Sequence, residues 1–381
     1  MPRYLISTLE LETKRLSEIL ASIKDQEEKE LSLLGKKLLS HLLILKINQP
    51  NQFKELTGGF SSDTYHYIKK NLVLRLPKLG NPLVRHTEIE LYNIQQAKLF
   101  GITAINVIAY FAKYSLLVTS LLPNYQSCSM EEIKRLNQLA AAAHLIKKLH
   151  YSEIKFKKNR ENAISIIDSS SKTFKVIEPI LVENDYKILE KLGKIRFFLS
   201  QFKIIKRPSH GDFHHFNLIK LKGVLQLMDW ELSSIEDPAL DISRFFCVAN
   251  LDKGEKNFFL QAYRSFFDIL LSKEMMESLK TRIQLFNPLN CFSIAVWARY
   301  VIPSFLSRDK KEVLEATIRN YTQKTLSTLS HIRLSTIDQN TYCETNATCT
   351  HASFFKHDQK EKSVTIQDEY LSESYQTAFK N

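Results

Sequence analysis

S-H-G-D-F-H-H-F-N-L-I-K runs from Ser209 to Lys220, and L-Q-L-M-D-W-E-L-S-S-I-E-D-P-A-L-D-I-S-R follows from Leu225 to Arg244. Pro208 and Gly211 break regular structure, so His210-Gly211-Asp212 reads as a loop. Val224–Met228 reads as a strand that delivers Asp229 to the edge of a pocket. Asp212, Asn217 five places on, and Asp229 after an apolar run have the order and spacing of a phosphoryl-transfer site. Such chemistry makes three demands. The acceptor hydroxyl needs a carboxylate within hydrogen-bond reach. The triphosphate needs divalent metal held by hard oxygen ligands. The phosphates need a fixed cation and a backbone cradle. Asp212 fits the base, and Asn217 and Asp229 fit the magnesium ligands.

The rest of the chain supports that reading. It has 381 residues, 44% of them hydrophobic, which suits a two-lobed enzyme with a sizeable core and excludes global disorder. Its net charge of +12 suits anionic ligands such as nucleotides, yet no nucleic-acid motif is visible, and no nucleic-acid partner is expected. Five cysteines with no C-x-x-C spacing point to a reducing compartment without structural disulfides or a zinc site. The first residues carry acidic side chains before any apolar run, unlike a secretory signal. The longest apolar patch, near Leu38–Ile47, is too short and polar to span a bilayer. A soluble, cytoplasmic protein is expected.

Four regions emerge. Residues 1–50 are a helical extension, with apolar residues at helical spacing over 7–47. Residues 51–123 form a small, mostly antiparallel lobe. In it L-T-G-G-F-S-S-D-T-Y-H-Y-I (Leu56–Ile68) places Gly58 and Gly59 at a turn flanked by Ser61 and Ser62. N-L-V-L-R-L-P (Asn71–Pro77) follows as a strand carrying Arg75. Glycines let backbone approach a phosphate closely, although a Gly-Gly turn also serves a plain hairpin. A helix over 82–100 carries Glu88 and Glu90, either of which is placed to pair with the strand cation, and strands follow at Ile105–Phe111 and Ser115–Leu122. Residues 124–334 are mainly helical. Met130–His150 is capped by Ser129, and further helices cover Glu161–Ser200, Asn257–Ser272, Met275–Phe286, Leu289–Arg308 and Lys311–Ile332, with a break or kink at Pro303. Residues 335–381 are a polar tail, read as flexible, with export as a bacterial effector as its sharper reading.

These motifs resemble those of the choline/ethanolamine-kinase group within the aminoglycoside-phosphotransferase superfamily, whose fold is protein-kinase-like. The resemblance covers roughly residues 51–305. It rests on H-G-D-x-x-x-x-N, on D-W-E followed by D-P-x-x-D-I, and on L-T-G-G-F-S-S-D-T-Y, V-L-R-L-P, R-H-T-E-I-E-L-Y-N, I-A-Y-F and S-L-L-V-T-S-L-L-P. It implies an α+β, bilobal fold using ATP and Mg2+. Arg75 would be the phosphate cation and Glu90 its helix partner. Asp212 would be the base, and Asn217 and Asp229 the metal ligands. Glu231 would be a further carboxylate near metal or substrate, with His210 and Asp241 as structural support. Two departures stand out. Ser62-Asp63 replaces the group's usual Asn in the glycine loop, and His214 and His215 are closer to thiamine and antibiotic kinases.

A quaternary ammonium is held by aromatic faces. Trp230, Tyr263, Trp297 and Tyr300 are the aromatics on offer, Trp297 and Tyr300 being three apart on one helix, with a core role as the competing reading. No acidic cluster suited to a polycation stands late in this lobe. The expected function is transfer of the γ-phosphoryl group of ATP to choline or ethanolamine. The alternatives are a thiamine or aminoglycoside kinase, a protein kinase lacking D-F-G and A-P-E, and a pseudokinase binding module.

Overall fold

In a computed structural model, the residues described are 53–56, 62–77, 87–111, 116–122, 126–157, 172–202, 204–265, 271–301 and 308–332. The expected N-terminal helices, Gly58, Gly59, Ser61, the break at Pro303 and the polar tail lie outside them. The chain divides into two compact units.

The first unit is a five-stranded antiparallel sheet. Its strands are β1 (Phe53–Glu55), β2 (Ser62–Tyr67), β3 (Leu72–Pro77), β4 (Val107–Phe111) and β5 (Leu116–Ser120), in the order β1-β2-β3-β5-β4. Alternation fixes which face is buried: Tyr65, Tyr67, Leu72 and Leu74 point inward, and Val118 opposes Leu74 in register, both fully buried. A 3-10 turn at Ile68–Lys70, closed by Asn71 in the left-handed region, joins β2 to β3. Phe53 faces Tyr67 across β1 and β2, their rings stacked 5.0 Å apart. Arg75 lies mid-strand on β3, opposite Thr64 and Leu117, and is partly exposed.

The second unit contains α1 (Thr87–Leu99), which sequence reasoning assigned to the sheet lobe. Asn93 anchors α1 there. Its Nδ2 donates to the Ser233 carbonyl at 3.2 Å, and its Oδ1 accepts from the Lys157 N–H at 3.1 Å. The expected helix over Met130–His150 is two pieces, α2 (Met130–Ile133) and α3 (Leu136–His150). Ser129 caps the first, its Oγ accepting from the Glu132 N–H at 3.1 Å. Along α3, Leu139, Ala142, Ala143, Ile146 and Leu149 are fully buried at helical spacing, and the small alanines let neighbours approach closely. Next come α4 (Lys172–Ile177) and α5 (Glu183–Leu199), separated by a 3-10 turn containing Pro179. Two small antiparallel sheets frame the central stretch: β7 (Arg207–Ser209) with β10 (Ser234–Glu236), and β6 (Gln126–Ser127) with β8 (Leu218–Leu221) and β9 (Val224–Leu227).

Four helices close the unit: α6 (Pro238–Val248), α7 (Lys253–Ser265), α8 (Lys273–Val301) and α9 (Arg308–His331). Two helical expectations need correction. Met275–Phe286 and Leu289–Arg308 are not separate helices, because α8 runs through Pro288 for 29 residues. Burial on both sides of the proline carries the helix past the missing N–H, with Leu285, Phe286, Leu289 and Phe292 all buried. The helix expected from Asn257 begins at Lys253 instead. Asp252 and Glu255 form a reciprocal cap there, at 2.8 and 2.7 Å, a D-x-x-E signal in the sequence.

Lys147 is almost fully buried on α3, its ammonium donating to the Arg264 carbonyl at 2.9 Å. Burial lowers its pKa to about 8, below the unfolded-chain value near ~10.4. The unfolded chain therefore holds the extra proton between these values. The cost of burying the charge is full below pH 8 and fades as pH rises through that window. Stability relative to Lys147→Met should move in favour of wild type by roughly 1–3 kcal/mol between pH 8 and 10 in urea unfolding. A gap that does not change with pH would contradict this.

Candidate active site

The loop carrying Asp212 is built on one buried carboxylate. Asp241, on the first turn of α6, is fully buried. Its Oδ2 accepts the His210 N–H at 2.7 Å and its Oδ1 the Gly211 N–H at 2.8 Å. His150, the last residue of α3, places Nε2 at 3.1 Å from the same Oδ2 and Nδ1 at 2.8 Å from the Tyr263 hydroxyl. A carboxylate only accepts, so His150 Nε2 carries a proton. Tyr263 is itself buried, and burial first, then Tyr151 and the charges of Asp237 and Asp241, hold its phenol protonated. His210 is pinned by its own side chain as well, with Nε2 at 2.7 Å from the Met228 carbonyl and the ring against Trp230 at 4.9 Å. The expected support roles of His210 and Asp241 thus have visible contacts. His150 and Asn93 were not singled out from sequence, the available signal being a histidine ending an apolar helix, and Tyr263, expected among the acceptor aromatics, is instead buried against His150.

Gly211 lets the loop turn. Its φ is +81°, and a Cβ there would lie 2.2 Å from the Leu232 carbonyl oxygen. Asp212 follows, about one-fifth exposed. Its Oδ1 accepts from Arg244 Nε at 3.0 Å and Nη2 at 2.9 Å. Its Oδ2 lies 3.1 Å from His214 Nε2 and 3.3 Å from Asn217 Nδ2. Burial pushes the carboxyl pKa up, but His214, Arg244 and His210 together outweigh it and hold Asp212 well below the usual carboxylate range. At neutral pH it is an ionised acceptor. The adjacent His215 is lowered to about 4 by burial and by His214, against the pull of Glu131, and is neutral there.

Asn217 closes a short 3-10 turn, His215–Asn217, and donates from Nδ2 to the Asp212 carbonyl at 2.9 Å. Its amide nitrogen is thereby committed, which leaves Oδ1 as the end suited to a cation. The β8–β9 pairing then sets its neighbour. Leu218 opposes Leu227, and the Met228 N–H donates to the Asn217 carbonyl at 2.9 Å, so Asp229 follows the residue that faces Asn217 across the hairpin. Asp229 has φ +62°, a left-handed conformation rare outside glycine that costs on the order of 1–2 kcal/mol and clusters at functional sites. Asn217 Oδ1 and the Asp229 carboxylate are hard oxygen donors of the kind magnesium takes, with phosphate and water completing its shell. Glu231 lies two residues on, partly buried.

One expectation is corrected. Trp230 is fully buried, packed on His210 and on Phe156 at 5.7 Å, and supports the loop rather than offering a face to an acceptor. Trp297 and Tyr300 are partly exposed on α8. They lie one and two turns beyond Ser293, and spacings of three, four and seven share a helix face. Ser293 is the residue on which Arg244, the partner of Asp212, rests at 3.2 Å. Glu90 is buried on α1. Ser62 opens β2.

The fold is protein-kinase-like. No family model matches the chain. Over 196 residues it is 28% identical to Protein LicA of Haemophilus influenzae, a match covering 50% of this chain and 56% of that one, so the chain spans about half the length of this curated relative. The choline kinase LicA of Streptococcus pneumoniae superposes with a TM-score of 0.60 at 18% identity, covering 76% of this chain and 99% of the other. An ethanolamine kinase of Plasmodium vivax does so at 0.57 and 15% identity, covering 82% and 95%. The chain is thus similar in sequence to a Protein LicA and in fold to a choline kinase and an ethanolamine kinase. Among the described residues no helix is long and apolar enough to cross a membrane.

Gly211→Ala and Asp241→Asn test the loop. Each should destabilise the protein by about 2 kcal/mol or more in urea unfolding, the first by steric clash and the second by leaving two buried N–H groups with a weakened acceptor. Wild-type stability in both would show that the loop is not held this way.

Proposed function

We propose that this chain is an ATP-dependent kinase that transfers the γ-phosphoryl group to the hydroxyl of a small alcohol, with choline or ethanolamine as acceptor. The observation that carries the reading is the ionised, hydrogen-bonded Asp212 beside Asn217 and Asp229 on one braced loop and hairpin. The names of the similar proteins, a choline kinase and an ethanolamine kinase, favour those acceptors.

In this reading Asp212 orients the acceptor hydroxyl and takes its proton as the new O–P bond forms. The bond from γ-phosphorus to the β–γ bridging oxygen breaks, and the electron pair leaves with ADP. Asn217 and Asp229, with Glu231 nearby, would hold Mg2+, which supplies charge neutralisation for the nucleotide phosphates. Arg75 is assigned as the phosphate cation, Glu90 as its helix partner, and Gly58, Gly59, Ser61 and Ser62 as the cradle. Trp297 and Tyr300 are assigned to the acceptor's cationic head, whose attraction to aromatic faces is worth about 0.5–2 kcal/mol.

ADP release should be followed with ATP and Mg2+ against choline, ethanolamine, thiamine, sugars and aminoglycosides. Choline or ethanolamine should give the highest kcat/KM. Asp212→Ala should lower the rate by roughly 10²–10⁴-fold, and removal of divalent metal by EDTA should abolish transfer until Mg2+ is restored. Turnover of thiamine or an aminoglycoside alone would reassign the acceptor. Magnesium-dependent ATP binding with no turnover of any acceptor would favour a pseudokinase, and unchanged turnover in Asp212→Ala would remove the proposed base.

A further inference from the structure

We infer that Arg244 is a positioning residue for Asp212, locking one carboxylate oxygen so that the other is presented to the acceptor hydroxyl. The inference rests on the kinase reading above. Arg244 lies on α6 one turn beyond Asp241, so the helix that braces the loop backbone also supplies the group that fixes the loop's side chain. Nε donates to Oδ1 at 3.0 Å and Nη2 stands 2.9 Å from the same oxygen, so this edge of the guanidinium is committed to Oδ1 alone. Oδ2 is left to His214 and Asn217, and Asn217 makes the longest of the four contacts at 3.3 Å.

The guanidinium is itself held. Nη1 donates to Ser293 Oγ at 3.2 Å and lies 3.4 Å from the Asn290 carbonyl, both on α8 and both buried. Ser293 Oγ donates to the same Asn290 carbonyl at 2.8 Å, and Asn290 Nδ2 donates to the Leu240 carbonyl of α6 at 3.3 Å. Arg244 is therefore fixed between two helices, with 14% of its side chain exposed against 20% for Asp212. Solvent-exposed ion pairs are flexible and weak. This pair is neither loose nor exposed, and with Oδ1 held by the guanidinium and Oδ2 by His214 and Asn217 the orientation of the carboxylate is set. Phosphoryl transfer draws its rate mainly from positioning and electrostatic stabilisation, so fixing the plane matters more than maximising the basicity of Asp212. A structural role for the pair would equally hold α6 to the loop, so the decisive readout has to be kinetic.

Steady-state kinetics with ATP, Mg2+ and the best acceptor should compare wild type, R244A, R244K, D212N and the R244A/D212N double variant, each checked for folding by thermal unfolding. R244A should lower kcat by about 10–100-fold while both KM values stay within about threefold. R244K, a cation without the fork, should recover part of that loss. R244A should cost nothing further on D212N, because its effect passes through that carboxylate. Unchanged kcat in R244A, or the same fold-loss on D212N as on wild type, would overturn the inference. Should wild type turn over no acceptor, the kinase reading fails separately. The thermal shifts of the same variants then decide the pairing: non-additive shifts support it, and additive shifts overturn it.

Discussion

A single buried carboxylate, Asp241, carries more of this structure than any other group. It accepts two consecutive backbone N–H groups of the His210-Gly211 loop, takes a third contact from His150, and sits on α6. Through it the ends of β7, α3, α6 and α7 meet around one charge. A buried carboxylate is costly unless its lone pairs are filled by well-aligned donors. That requirement constrains every segment that supplies a donor. The loop cannot relax without leaving the charge unsatisfied, and Gly211 is the residue that lets the backbone reach it. The position of Asp212 is inherited from this arrangement.

The two aspartates divide the electrostatic work. Asp241 gives its oxygens to backbone N–H groups and His150 and is sealed from solvent, whereas Asp212 faces partly outward and is held by side chains alone. Asp212 receives donors at both oxygens, so its charge is stabilised and its orientation set by the protein. Such an arrangement sacrifices basicity for a defined plane. For a transfer in which the protein contributes position and charge more than covalent chemistry, that is a coherent balance.

Much of this was legible in the sequence because local rules carry it. The alternation in L-V-L-R-L gave β3, Ser129 and the two acids after it gave the start of α2, and Pro208 and Gly211 marked the loop. The spacing from Asp212 to Asn217 and on to Asp229 marked a candidate base and two candidate ligands, and the β8–β9 hairpin runs between those two. What was not legible depends on contacts across long stretches of chain. Asn93 reaches Ser233 across 140 positions, Arg244 reaches Ser293 across 49, and His150 reaches Asp241 across 91. No local pattern announces these pairings. Trp230 was misread for the related reason that an aromatic beside a catalytic motif looks the same whether it faces a ligand or the core. Met275–Phe286 and Leu289–Arg308 were read as two helices, whereas tertiary burial on both flanks of Pro288 makes them one.

The most direct test of the central claim is the 31P spectrum of a reaction containing the protein, ATP, Mg2+ and choline or ethanolamine. The account predicts a new phosphomonoester resonance growing in step with the α and β resonances of ADP, and absent when the acceptor is omitted. Inorganic phosphate as the sole new signal, or an unchanged ATP spectrum with every acceptor, would contradict it.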